Sequence, residues 1–278
     1  MVKVPGSAFV GLKTAGGLAT PAAPARLAAL ASLAAFAASA VDMLIPPTCL
    51  GCNAAVGQAG ALCGSCWSRL RFIEQPFCKV LGTPFAYDSG LGAVSLSALA
   101  EPPSFDRARS VVLYDDVARR IVRTFKFGDR PELAPWMAQW MVRAGHELLA
   151  RDALIVPVPL HRRRLMGRRF NQSAELARHL ARLSHCQYQP DMLRRIRQTR
   201  QQVGLGANDR ARNVRGAFRV PPAKEILVRG GHIVLVDDVY TTGATLQSCA
   251  RALRRKGAAK IDCLTFARVA NGVAITDL

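Results

Sequence analysis

The stretch "VLVDDVYTTGAT" (234–245) carries the densest set of residues suited to chemistry. Asp237 and Asp238 are adjacent carboxylates at the end of an apolar run. Like charges this close resist joint ionisation unless a partner compensates them. Two vicinal ribose hydroxyls can donate to them, or magnesium can bind them through water. Tyr240-Thr241-Thr242-Gly243-Ala244-Thr245 then leads toward a helix. The unpaired amides and the dipole of a helix start suit a monophosphate. Gly243 allows the backbone to approach closely. The hydroxyls of Thr241, Thr242 and Thr245 add donors. Together these groups match a ribose 5-phosphate.

A second set lies earlier. "CLGC" (49–52) and "CGSC" (63–66) are ten residues apart, giving C-x2-C-x10-C-x2-C. Two paired turns of this kind present four thiolates to one tetrahedral ion, with zinc the default. Cys49, Cys52, Cys63 and Cys66 leave no open coordination position, so the expected role is structural. The opposing reading, a redox or disulfide pair, requires an exported chain. Four of the eight cysteines remain: Cys78, Cys186, Cys249 and Cys263. They read as small core residues. Cys78 is a fifth candidate ligand, but Leu81 stands where its CxxC partner would be.

These residues need elements to hold them. From residue 111 onward strands and helices alternate. "SVVLYDD" (110–116), "ALIVPVPL" (153–160), "HIVLVDDV" (232–239) and "KIDCLTFAR" (260–268) read as strands. Residues 117–127, 131–149, 171–184 and 243–256 read as helices, the last stopped by Gly257. This alternation predicts an α/β fold with a doubly wound parallel sheet. Residues 1–25 lack periodicity and read as a disordered tail. In 26–45, Leu27, Leu30, Ala34, Ala37, Val41 and Leu44 fall near helical spacing, so a leader helix is expected, stopped by Pro46-Pro47. The competing reading is a signal h-region cleaved after Ala40. The run is too short to span a bilayer, so no stable membrane insertion is expected. Residues 46–84 form a small metal-dependent module, 85–110 a connector, and 111–270 the main domain.

The charge balance bounds the partners. Lys+Arg number 38 against 19 Asp+Glu in 278 residues, a formal net charge of +19. That favours nucleic acid, phosphate substrates or an acidic membrane surface. The plain alternative is a set of solvated basic faces. The basic stretches 161–169, 194–219 and 251–256, with Trp67 and Phe72 as exposed aromatic candidates, suit contact with single strands. Arg162, Arg163 and Arg164 follow a strand end and suit a diphosphate. Asn171 is either a helix N-cap or a substrate contact. Lys126 either helps bind phosphate or caps a helix end. Residues 195–216 are a long arginine-rich loop, either solvated or an active-site lid.

The stretch "VLVDDVYTTGAT" resembles the phosphoribosyl-pyrophosphate (PRPP) fingerprint of type I phosphoribosyltransferases. By that resemblance Asp237 and Asp238 take the ribose hydroxyls, and Thr241, Thr242, Gly243, Ala244 and Thr245 take the 5-phosphate. "KFGDRPELA" (126–134), "VPVPLHRRRLMGRRFNQSAELAR" (156–178) and "RRIRQTRQQVGLGANDRARNVRGAF" (194–218) resemble the ComF family. Its members join a zinc ribbon to a phosphoribosyltransferase-like domain and are linked to natural competence. The resemblance covers about residues 44–268. It implies a type I phosphoribosyltransferase-like sheet with helices on both faces, preceded by a zinc ribbon. It implies structural zinc and magnesium with PRPP as cofactors, in the cytoplasm. It implies PRPP, single-stranded DNA and other DNA-uptake proteins as partners. Pro159, Leu160, His161 and Arg162 would form the pyrophosphate loop, and Gln202 and Arg210 would reach the ligand from the lid. Two roles follow: a DNA-uptake protein that binds PRPP and single strands, or an active phosphoribosyltransferase with an unidentified acceptor. The chain departs from the family where a further C-x-x-C-G is common, at Cys78…Leu81-Gly82.

Overall fold

A computed structural model describes residues 46–58, 60–90, 92–127, 130, 133–160, 170–197 and 214–269. The expected tail and leader helix, His161, Arg162, Gln202 and Arg210 lie outside the described residues.

The core is a five-stranded sheet in the order β1-β7-β6-β2-β3. These are β1 (Arg107–Leu113), β2 (Leu154–Pro157), β3 (Gln187–Tyr188), β6 (His232–Tyr240) and β7 (Lys260–Arg268). Every pairing is parallel. β4 (Arg194–Arg195) and β5 (Phe218–Arg219) form a separate antiparallel pair.

The central strands carry apolar side chains on both faces, as a sheet covered on both sides requires. Ile155, Val234, Val236, Leu264 and Phe266 face one core, with α3 (Asp116–Phe127), α4 (Leu133–Ala144) and α5 (Gln172–Ser184). Leu154, Val156, Ile233, Leu235, Ile261 and Cys263 face the other, with α7 (Ala244–Arg254). The short helices are α1 (Gly64–Ser68), α2 (Leu96–Ala100) and α6 (Glu225–Val228).

The bounds of β7 match the sequence expectation, but β1 starts earlier than the pattern placed it. Arg107 and Arg109 interrupt the apolar run, yet both have partners inside the fold. Arg107 grips the fully buried Asp262 through Nε (3.2 Å) and Nη2 (2.9 Å). Arg109 reaches Glu147 at 2.5 Å and lies over the Phe77 ring. β2 stops at Pro157, because Pro157 and Pro159 cannot donate to a ladder. The expected helix 131–149 ends at Ala144 and resumes as a 3-10 turn over His146–Leu148.

The cysteine module docks on the outer edge of β1. Ile73 N–H donates to Val111 O (2.8 Å), Leu113 N–H to Arg71 O (2.9 Å) and Ala108 N–H to Val80 O (2.7 Å). Arg120 Nε, on α3, donates to Gly51 O at 2.9 Å.

Candidate functional site

The sheet order creates one switch point. From β2 the chain passes outward to β3, and from β6 it passes the opposite way to β7. The crevice beyond the carboxyl ends of β2 and β6 is where open α/β sheets bind ligands. β2 ends opposite Val236, so Asp237 and Asp238 continue past it along the flank of β7.

Three segments converge there. The first is the loop after β2, where Val158 N–H donates to Val236 O (2.9 Å) and Pro159 and Leu160 are half-buried. The second is the start of α5. Asn171 is its N-cap, with Oδ1 accepting from Ser173 N–H at 3.2 Å, and its Nδ2 donates to Val158 O at 3.3 Å. One side chain thus starts the helix and ties it to the Pro159–Leu160 loop. The third is the segment after β6. Gly243 has φ +74, and a Cβ there would strike the Tyr240 ring. Only glycine combines that backbone with so close an approach. The ring is itself fixed by the Arg268 guanidinium, 4.1 Å from its centroid. Thr241, Thr242, Gly243, Ala244 and Thr245 therefore lead directly into α7, whose first-turn amides have no intrahelical acceptors.

The carboxylates do not face the crevice alone. Ser173 Oγ–H donates to Asp237 Oδ1 at 2.8 Å, and Asp238 N–H donates to the same oxygen at 2.9 Å. Lys126 Nζ pairs with Asp238 Oδ1 at 2.9 Å. Burial, then the neighbouring Asp238, push the Asp237 carboxyl up to about 7, against the Ser173 hydroxyl and Lys126. Burial works against the Lys126 ammonium, but Asp238 and then Asp237 hold its pKa above the ordinary value. A resident cation thus occupies one carboxylate. Of the two roles open to Lys126, phosphate helper or helix cap, the geometry adds a third: counter-charge to Asp238.

No local signal in the sequence marks Ser173 as a site residue. It stands beside Phe170-Asn171-Gln172, but its partner Asp237 is 64 residues away. The base of the expected lid is visible. Ile196 N–H donates to Ala217 O (2.9 Å), and Ser248 Oγ–H, on α7, donates to Val214 O (2.7 Å). The arginine-rich segment thus leaves and returns beside the helix that follows Gly243.

At the other end of the chain, the sulfurs of Cys49, Cys52, Cys63 and Cys66 lie within 4.8 Å of one another, and those of Cys52 and Cys63 are 3.6 Å apart. Four sulfurs about 2.3 Å from zinc sit roughly 3.8 Å from one another, so the cluster fits this ion. Cys49 Sγ accepts from Gly51 N–H (3.3 Å) and Cys63 N–H (3.2 Å). Burial opposes ionisation of Cys49, but these amides prevail and bring the thiol down to about 6. Burial and the neighbouring thiols push Cys66 up to about 12. Four sulfurs this close cannot all ionise without a cation, and the set fits a structural zinc. A Cβ on Gly51 would lie 2.9 Å from Cys66 Sγ, so glycine keeps the turn close. Cys78 is buried outside this cluster. Its Sγ accepts from Leu81 N–H (3.3 Å), Ser95 N–H (3.2 Å) and Ser95 Oγ–H (3.3 Å).

The aromatic candidates divide. Trp67 is 44% exposed, whereas Phe72 is partly buried between the Trp67 and Trp140 rings.

Comparison with known proteins covers the regions that carry both constellations. Residues 40–95 match the double zinc ribbon domain, and 171–274 match the phosphoribosyl transferase domain. Among the described residues there is one four-cysteine cluster, with Leu81 where a second cluster would need a thiol. The chain is 34% identical over 236 residues to DNA utilization protein YhgH of Escherichia coli K12, covering 81% of this chain and 99% of that protein. It is 29% identical over 229 residues to Competence protein F of Haemophilus influenzae, covering 79% and 96%. It is 28% identical over 211 residues to Competence protein ComFC of Bacillus subtilis, covering 74% and 84%. With its four-cysteine ribbon joined to a parallel phosphoribosyltransferase-type sheet, the chain belongs to the ComF family.

Proposed function

We propose that this protein binds PRPP with magnesium at the β2/β6 switch point, binds single-stranded DNA, and acts in DNA uptake during natural competence. The observation that carries the reading is the convergence of the Pro159–Leu160 loop, the start of α5 and the Asp237–Thr245 segment on one crevice. The ribose hydroxyls would donate to Asp237 and Asp238, and the 5-phosphate would lie against Thr241–Thr245 and the start of α7. Lys126 would then pass from Asp238 toward the anionic ligand, since magnesium and ribose supply new partners to the carboxylate. His161 and Arg162 would meet the pyrophosphate, and Gln202 and Arg210 would close over it. The DNA reading rests on the +19 charge and on relatives named for competence and DNA utilization. A cytoplasmic location accords with eight free cysteines, four of them metal ligands. Among the described residues no helix is long and apolar enough to cross a membrane.

The test is fluorescence anisotropy of a labelled single strand at fixed, near-physiological salt, titrated with PRPP–magnesium. Calorimetry of PRPP–magnesium on the wild type and on Asp237→Asn/Asp238→Asn runs beside it. Binding of both ligands, with PRPP changing the DNA affinity and the double variant losing PRPP, supports the reading. Unchanged PRPP affinity in the double variant sinks the site assignment. PRPP binding without DNA binding moves the protein to the alternative, a phosphoribosyltransferase with an acceptor still to be found.

A further inference from the structure

The ribbon and α4 enclose a second cavity that shares no lining residue with the switch point. Its volume is about 370 Å³, within the range of small-ligand sites. The walls are aromatic. Trp67 comes from α1 of the ribbon, Phe72 from the segment paired to β1, and Trp140 from α4. Ring centroids are 5.3 Å apart for Trp67–Phe72, 5.2 Å for Trp67–Trp140 and 4.8 Å for Phe72–Trp140. Trp136 adjoins Trp140 at 6.5 Å. The chain has three tryptophans, and all stand in this cluster. Arg143 caps one wall, its guanidinium 5.6 Å from the Trp140 centroid. Gln75 and His146 add hydrogen-bonding groups at the lining.

The combination suits one kind of occupant. A nucleobase has a flat π-face for the indoles and the guanidinium, and an edge of donors and acceptors for Gln75 and His146. An aliphatic side chain would use neither. The surrounding charge fits a strand. Arg69, Arg71 and Arg143 are exposed around Trp67 and Phe72. Of the two acidic groups in the lining, Glu147 is already taken by Arg109 (2.5 Å) and Arg107 (3.6 Å), which leaves Glu74. We propose that this cavity stacks an unpaired base of a single strand, so that the zinc ribbon and the phosphoribosyltransferase-like domain together build the DNA site. The proposal rests on the single-strand reading above and assigns that reading a place.

Two of the three tryptophans, Trp67 and Trp140, line this cavity and the third, Trp136, adjoins Trp140, so a change in intrinsic fluorescence reports chiefly on it. Full-length, zinc-loaded protein is titrated with oligo(dT) and with an abasic deoxyribose-phosphate oligomer of equal length, at one salt concentration. Anisotropy of labelled strands is followed in parallel. Oligo(dT) should quench the tryptophans and the abasic strand should not. Trp67→Ala should weaken oligo(dT) binding by roughly 5- to 160-fold, the range for one lost base stack, and leave abasic binding unchanged. Zinc content is measured on that variant. If it loses zinc, Arg143→Ala, on α4 rather than on the ribbon, and the abasic comparison on the wild type decide instead. If oligo(dT) binds by anisotropy without quenching, and neither variant weakens it, the cavity assignment falls while the single-strand reading stands. If neither strand binds, both fall.

Discussion

Replacing Asp237 with asparagine should stabilise the fold at pH 8 while abolishing the proposed PRPP binding. The carboxyl is pushed from 3.8 to about 7, first by burial and then by Asp238. A folded-state pKa raised above its unfolded value means that the protonated group favours the fold. That contribution is complete below about pH 4 and is lost as pH rises through about 7. At pH 8 the ionised Asp237 costs stability. Each pH unit of the gap is worth about 1.36 kcal/mol, which sets a ceiling of roughly 4 kcal/mol. Asp237 is only partly buried in the crevice, so solvent screening reduces this to about 2 kcal/mol. In a domain of this size 1 kcal/mol moves the melting temperature by about 2–4 °C, so the variant should melt about 4–8 °C higher. Asparagine keeps Oδ1 as the acceptor for Ser173 Oγ–H and Asp238 N–H, so the geometry survives. Melting is followed by circular dichroism at pH 5 and pH 8 without magnesium or PRPP. The variant's advantage at pH 5 should be less than half of that at pH 8, because it builds up between about pH 4 and pH 7. A variant that melts with or below the wild type at pH 8 refutes the argument that function here is held at a cost in stability.

Gly243→Ala forces a Cβ into the Tyr240 ring at φ +74. It should cost about 1–3 kcal/mol and weaken PRPP binding, read by thermal melting and calorimetry. Cys49→Ser should leave less than one zinc per chain after dialysis and expose residues 46–84 to protease, because three thiolates hold the ion far less well. A full equivalent retained would point to Cys78 as substitute ligand. Asp262→Asn breaks the buried contacts to Arg107 and His232 and should cost about 3 kcal/mol with PRPP affinity unchanged, since it lies near the opposite end of the strands. Burial disfavours the Asp262 carboxylate, but His232 and Arg107 prevail and hold its pKa below the ordinary value. Its stabilisation is therefore present above about pH 4 and lost as pH falls through the depressed folded value, so the wild type should lose this advantage over the variant in acid.

What the sequence shows of the fold follows from where information is local. β6 and β7 are apolar runs, and their bounds need nothing from outside. β1 is half hidden because Arg107 and Arg109 look like surface residues until Asp262 and Glu147 arrive from elsewhere. β3 has two residues, too few for any periodicity. The site divides the same way. The Asp237–Thr245 segment and the four cysteines are contiguous motifs with fixed spacing. Ser173, the pairing of Lys126 with Asp238, and the grouping of Trp67 with Trp140 are products of packing. Trp136 and Trp140 sit in the sequence as ordinary helix residues, and only the docked ribbon turns one of them into a wall.

The way the ribbon is joined to β1 gives zinc a further task. Residues 71–73 follow Cys66 by a few positions and complete the hydrogen bonding of a sheet edge whose residues Val111, Val112 and Leu113 are apolar and buried. When a chelator takes the metal, that segment loses its anchor and the edge is left with unmet amide and carbonyl groups. An uncovered apolar edge is a template for a strand from another molecule. Stripping the zinc should therefore turn a monomer-compatible surface into an aggregating one, and the metal guards the solubility of the whole domain as well as the shape of its smallest part.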